Sequence, residues 1–244
     1  MSTINQYKKS WESIRNRTLK EKIEYLLYYY KWYFIGILLF LSAIIQFIYG
    51  NVTAKEIALN GIFVNANTTP SALAAFEEDL NSKLAIDTSK YEISLNTNLS
   101  YLTDSDGDSY NYQLFQSLQV WYTAGEIDFL VGNLDFMTLM AYQGFFMDLS
   151  KVLTQEEYSF YKPYIYYIDR DILDSDNLSV DISLPTGTDP SDMKDPVPVF
   201  IDISNCNKLS SIYNHNTSNL FFGIMPNSSN MERAKITLNY LMDS

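Results

Sequence analysis

Between Trp32 and Tyr49 the chain reads WYFIGILLFLSAIIQFIY, an uncharged run in which only Ser42 and Gln46 interrupt the apolar character. A helix over these positions extends roughly 27 Å at about 1.5 Å per residue, close to the hydrocarbon thickness of a bilayer. In lipid the backbone must satisfy its own polar groups, so the run predicts a transmembrane helix over 32–49. Tyr28, Tyr29, Tyr30, Trp32 and Tyr33 at one end and Tyr49 at the other match the aromatic belts of two interfaces. Residues 1–31 form a basic segment, read as an amphipathic helix over 8–31. Trp11, Ile14, Leu19, Ile23, Leu26 and Leu27 share one face there, with Lys and Arg on the other. Such a helix lies on anionic headgroups before the chain turns into the membrane.

From residue 55 to 244 the period of the pattern changes repeatedly. Ile57 to Val64 predicts a buried strand, and Thr69-Pro70 supplies an N-cap and a proline for the first helical turn. Leu73, Phe76, Leu80 and Leu84 then form a helical stripe. Tyr91 to Leu95 alternates as a strand, Thr103 to Ser109 is a polar loop, and Tyr112 to Thr123 is a helix with Leu114, Leu118 and Trp121 facing inward. Ile127 to Val131 predicts a third strand, ended by Gly132-Asn133. Leu134 to Gly144 follows as a helix with Gly144 at its C-terminal cap. Thr154 and Glu157 form a capping box for another helix. An irregular Asp-, Ser- and Pro-rich excursion covers 169–195. Strands at Pro196 to Ile203 and Leu220 to Ile224 and a helix from Met231 to Met242 complete the pattern. The repeated strand–helix order predicts an α/β domain with a mostly parallel sheet, preceded by a single transmembrane helix.

Charge orients this arrangement. Seven basic residues stand against three acidic ones before Trp32, a net of +4. From Asn51 onward ten basic residues face twenty-six acidic ones, a net of −16. Basic flanks stay on the cytoplasmic side, so the expectation is a single-pass cell-membrane protein with its N-terminus inside and an extracellular acidic domain. A cleaved secretory signal is the rival reading, with Val52-Thr53-Ala54 as small residues for cleavage. The long N-terminal region and the length of the apolar run favour an uncleaved anchor. A domain of net −16 repels phosphate backbones, which argues against nucleic acid as a partner. The single Cys206 rules out an intrachain disulfide framework.

Ala124-Gly-Glu-Ile-Asp-Phe-Leu-Val-Gly, followed by Leu139-Met-Ala-Tyr-Gln-Gly-Phe-Phe-Met-Asp-Leu, resembles a signature of type II extracellular solute-binding proteins. Phe222-Gly-Ile-Met-Pro-Asn-Ser-Ser-Asn with Ala234 and Leu238-Asn-Tyr-Leu looks like the closing strand and helix of the same family. With the first strand–helix–strand unit, the resemblance covers about two thirds of the domain. The N-terminal Tyr-Tyr-Tyr-Lys-Trp-Tyr also looks like the anchor of small membrane proteins from low-GC Gram-positive bacteria. The resemblance implies a periplasmic-binding type II fold. The stretch 163–197 is short for a second lobe, so that lobe is expected to be reduced.

Ligands of open α/β sheets sit beyond the carboxyl ends of strands. Asn65 and Asn67 after the first strand, Asn133 and Asp135 after the third, and Asp202 and Ser204 after the strand at 196–203 are the candidate ligand-binding residues. They would hold a small polar solute such as a sugar or an amino acid. Asn and Asp at such positions are also ordinary turn-formers and helix caps. Asp104-Ser-Asp-Gly-Asp108 departs from a calcium loop, with Ser109 and Phe115 at the positions of the required Gly and bidentate Glu. His215 has no ligand partner at metal spacing. No phosphate loop, Gly-x-Ser-x-Gly or His-Glu-x-x-His occurs, so neither a cofactor, nor a metal, nor catalysis is expected. Two functions follow. One is a membrane-anchored, non-catalytic solute-binding-like domain presenting a ligand- or partner-binding surface. The alternative is a degenerate binding fold serving as an accessory or scaffold subunit of a membrane transporter or sensor. Gly36, Ser42 and Ala43 would allow close helix approach in the bilayer.

Overall fold

The computed structural model describes residues 18–53, 55–102, 108–173, 184–217 and 219–243. The polar loop at 103–107 and residues 8–17 of the basic segment lie outside the described residues. The chain divides into two compact units, Met1–Ala54 and Lys55–Ser244.

In the first unit, helix α1 (Leu19–Thr53) runs 35 residues without a break. Thr18 and Glu21 cap its start, each side chain reaching the other's backbone N–H at 3.0 and 3.5 Å. The expected turn between a surface helix and a spanning helix is therefore absent among the described residues. No proline interrupts 19–53, so the i to i−4 ladder continues through Lys31-Trp32. Within α1, Lys31–Tyr49 is long and apolar enough to cross a membrane, by length and composition, and none of it is buried. A core helix of a globular domain would be buried instead.

In the second unit the strands are β1 (Glu56–Phe63), β2 (Tyr91–Asn96), β3 (Phe129–Asn133), β4 (Ile165–Asp169), β5 (Thr186–Gly187), β6 (Pro196–Asp202) and β7 (Leu220–Ile224). They form a seven-stranded sheet in the order β2-β1-β3-β7-β6-β4-β5. The helices are α2 (Pro70–Lys83), α3 (Asp108–Ala124), α4 (Leu134–Tyr142), α5 (Gln155–Tyr161), α6 (Arg170–Leu173) and α7 (Met231–Met242). One face of the sheet packs on Phe76 and Leu80 of α2, Tyr161 of α5 and Ala234, Leu238 and Leu241 of α7. The other packs on Leu114 and Leu118 of α3 and Phe136, Met137 and Met140 of α4.

The sheet is mixed, which corrects the expectation of a mostly parallel one. Only the pairs β1–β2 and β1–β3 are parallel. The pairs β3–β7, β7–β6, β6–β4 and β4–β5 are antiparallel. The reason lies in the connections. Helices α2 and α3 carry the chain back across the sheet between the first three strands, as parallel neighbours require. Strand β4 ends beside the start of β6, and β6 ends beside the start of β7, so each strand re-enters in the opposite direction. Strands β4 and β5 were not foreseen; β5 pairs only through Tyr167–Gly187 and Ile168–Thr186, inside the expected excursion.

Local signals act as the pattern implies. The Thr69 hydroxyl accepts from Ala72 N–H at 3.3 Å with Pro70 behind it. The capping box of Thr154 and Glu157 closes at 2.7 and 3.2 Å. Gly144 adopts φ +78, and the N–H groups of Gly144 and Phe145 bond the carbonyls of Ala141 and Met140, which closes α4 with a Schellman motif.

Candidate functional site

Strands β1 and β3 are parallel, and β6 reaches the same direction through two antiparallel steps. All six candidate residues therefore lie at one edge of the sheet, at or just beyond the carboxyl ends of these strands. What they do there differs.

Asn65 takes a left-handed turn at φ +60 directly after Val64. Its carboxamide clasps the loop after β2, accepting from Tyr101 N–H at 2.7 Å and donating to Tyr101 O at 3.2 Å. Asn133 caps α4 by accepting from Phe136 N–H at 3.2 Å. Asp202 and Ser204 form a local turn in which Ser204 N–H donates to Asp202 Oδ1 at 2.8 Å and the Ser204 hydroxyl donates to the same oxygen. Leu220 N–H donates to Ser204 Oγ at 3.2 Å, which ties the end of β6 to the start of β7. Asp135 is exposed in the first turn of α4. Burial, and then the Asp135 charge, pushes the Tyr101 phenol above its ordinary range. Asn67 is exposed, and its backbone N–H donates to Ile212 O at 3.0 Å.

That last contact belongs to a feature the sequence reading missed. The chain leaving β6 folds across the carboxyl ends of β1 and β3 before entering β7. Leu209 and Ile212 are fully buried and Tyr213 is 6% exposed. The Tyr213 hydroxyl lies 3.1 Å from the carbonyl of Val64, just past the end of β1, and 3.4 Å from that of Val131 in the neighbouring β3. Burial alone drives this phenol far above its ordinary pKa, so it is a permanent donor. Thr68 Oγ1 donates to Ser211 O at 3.0 Å beside it. The crevice at which an open α/β sheet receives a small ligand is thus lined by the protein's own Ile212 and Tyr213. The spacing of Leu209, Ile212 and Tyr213 in an otherwise polar stretch is the signal that could have revealed it.

A hollow of about 270 Å³ opens farther along the edge, lined by Asp202 with Tyr164, Asn205, Cys206 and Asn207. The other five candidates are not in its walls. His215 is exposed in a left-handed turn at φ +65. Among the described residues no three His, Cys, Asp or Glu side chains gather as a metal site.

Asp128 was also missed as a functional position, although it stands in the Gly-Glu-Ile-Asp run. It is 2% exposed at the start of β3, at the opposite edge. Asn60 N–H donates to it at 2.7 Å, the Ser228 hydroxyl at 2.6 Å and Asn230 Nδ2 at 3.3 Å. It joins β1, β3 and the turn before α7, a structural task.

No family model matches the chain, and no curated protein does. Among solved structures, an ABC substrate-binding protein of Listeria monocytogenes in complex with cycloalternan matches 50% of this chain at 14% identity and a TM-score of 0.25. The match spans 33% of that protein's length, about a third. It is a distant, partial likeness and assigns no ligand.

Proposed function

We propose that this chain is a single-pass membrane protein whose N-terminal flank is cytoplasmic and whose α/β domain lies outside. The domain acts as a non-catalytic accessory module that binds a membrane partner, such as a transporter or sensor subunit. The unburied apolar stretch of α1 supports the anchor, and seven basic against three acidic residues ahead of it support the orientation. The observation that carries the partner reading is the closure at Tyr213. Its hydroxyl and the Ile212 carbonyl occupy the strand ends where a free solute would bind, so recognition falls to an outer surface.

The test has two arms on the full chain in lipid nanodiscs and in cells. Thermal midpoints should show no rise with sugars, amino acids or short peptides that depends on the Asn67 or Asp135 side chain. A photo-crosslinker at Gly36 or Ala43 should yield an adduct with a different membrane protein. A concentration-dependent rise in midpoint with one of those solutes that Asn67→Ala or Asp135→Ala abolishes would overturn the reading, because a ligand of the folded state stabilises by mass action. Crosslinks to the chain itself alone would do the same.

A second reading keeps the edge for a small polar solute held by Asn65, Asn67, Asn133, Asp135, Asp202 and Ser204. The exposed side chains of Asn67 and Asp135 favour it. On this reading Asn67→Ala and Asp135→Ala abolish the solute's stabilisation without lowering the midpoint of the free protein.

A further inference from the structure

At the edge opposite the candidate residues, where β6 begins and β4 and β7 end, a hollow of about 330 Å³ opens beside the end of α4. Its floor includes Phe146, Ile168, Val197 and Val199, each no more than 8% exposed. Its rim carries Asp148, Lys151 and Arg170, a local net of +1 in a domain of net −16. The volume stands at the low end of small-ligand pockets, and an apolar floor with a few polar groups on one side is their usual make-up.

Arg170 is fixed in place but loosely paired. Its backbone N–H donates to Asp195 O at 2.9 Å. The neighbouring Asp169 carboxylate accepts from the N–H groups of Asp171, Lys194 and Asp195 at 3.0 to 3.2 Å, which pins the turn from both sides. Among the described residues its guanidinium meets Asp148 at 3.7 Å and Asp195 at 3.6 Å, both longer than a hydrogen bond. Asp148 is engaged elsewhere, with Oδ1 accepting from Ser150 N–H and Oγ and Oδ2 facing Lys151 at 3.4 Å. A planar fork of five donors at the rim of a small apolar hollow fits one chemistry best, a carboxylate taken in bidentate geometry.

We propose that this hollow binds a small organic acid with an apolar, branched or aryl body. Arg170 holds the carboxylate, and Phe146, Ile168, Val197 and Val199 cover the body. Lys151 offsets the repulsion that an acidic domain exerts on an anion. Asp195 competes for the same guanidinium and is displaced on binding. The site is independent of whatever meets the other edge, so its failure leaves the accessory-module reading untouched.

The probes are phenylacetate and its neutral counterpart phenylacetamide, titrated into methyl-labelled full chain in nanodiscs. Saturable shifts of the Ile168, Val197 and Val199 methyls are expected with the acid, at about tenfold or greater affinity over the amide. Arg170→Gln should weaken the acid to the level of the amide. Asp195→Asn should tighten it about threefold or more by removing the competitor, a gain that a misfolded variant cannot mimic. Equal response to acid and amide, wild-type affinity in Arg170→Gln, or no methyl shift with either probe would overturn the site.

Discussion

Asp128→Ala removes one acceptor from three donors that come from separate parts of the domain. Asn60 N–H belongs to β1, between two neighbouring strands, whereas Ser228 and Asn230 lie in the half-exposed turn before α7. Among the described residues no Lys or Arg pairs with this carboxylate, so hydrogen bonds alone hold its charge. A hydrogen bond to a charged group contributes about 1.5–3 kcal/mol, and stranding a buried donor costs about the same. After the substitution Ser228 and Asn230 turn to water and lose about 0.5 kcal/mol each, while Asn60 N–H loses about 2 kcal/mol. The sum is about 3 kcal/mol, a large share of the 5–15 kcal/mol typical of a domain. At about 2–4 °C per kcal/mol for a domain of this size, the midpoint falls by about 6–12 °C. Near-ultraviolet circular dichroism of the full chain in nanodiscs reads this domain's packing. Ser228→Ala should cost about 0.5–1 kcal/mol and be non-additive with Asp128→Ala, since both cut one network. The reasoning fails if Asp128→Ala costs no more than Asp192→Ala, an exposed control.

Three further outcomes follow from other contacts. Gly61→Ala would place a Cβ 2.1 Å from Phe129 Cζ, so it should destabilise by about 2 kcal/mol or more, read as a lower urea midpoint. Tyr213→Phe loses the donor to Val64 and Val131 carbonyls, costing about 1 kcal/mol and speeding amide exchange at Asn67. The N–H of Lys194, then that of Asp195, holds the Asp169 carboxyl below its ordinary value of 3.8 against the opposing effect of desolvation. A depressed folded pKa stabilises above the unfolded value and loses that contribution as pH falls through the folded one. Asp169→Asn should therefore flatten the loss of stability below about pH 4 in urea titrations, and an unchanged acid limb would contradict it.

Legibility followed the range of the interaction. The span, the caps at Thr69 and Thr154 and the stop at Gly144 depend on residues within a few positions of each other, and local pattern carries them. The inward stripes of α2 and α3 are likewise local in origin. Strand direction is not local. Ile165 to Asp169 carries the right residue types, but its antiparallel pairing joins it to residues 196–201, about thirty positions on. A pattern of alternating strands and helices says which segments pair without saying which way the later ones run.

The same distinction separates the two edges of the sheet. Asn65, Asn133, Asp202 and Ser204 were legible as polar residues at strand ends, and Asn133 and Asp202 find their partners within three positions. Tyr213, which covers the ends of β1 and β3, bonds residues 82 and 149 positions away. Arg170 and Lys151, nineteen positions apart in sequence, meet at one rim because β4 ends beside the segment that follows α4. An accessory role and a small-acid site are compatible on this geometry: at one edge the ends of β1 and β3 are covered by the chain itself, and the opposite edge opens the hollow beside Arg170. If Tyr213→Phe leaves binding of phenylacetate unchanged while Arg170→Gln abolishes it, the two edges act independently. Coupling between the two substitutions would mean that the sheet transmits between them, since such cycles are additive for sites without shared partners.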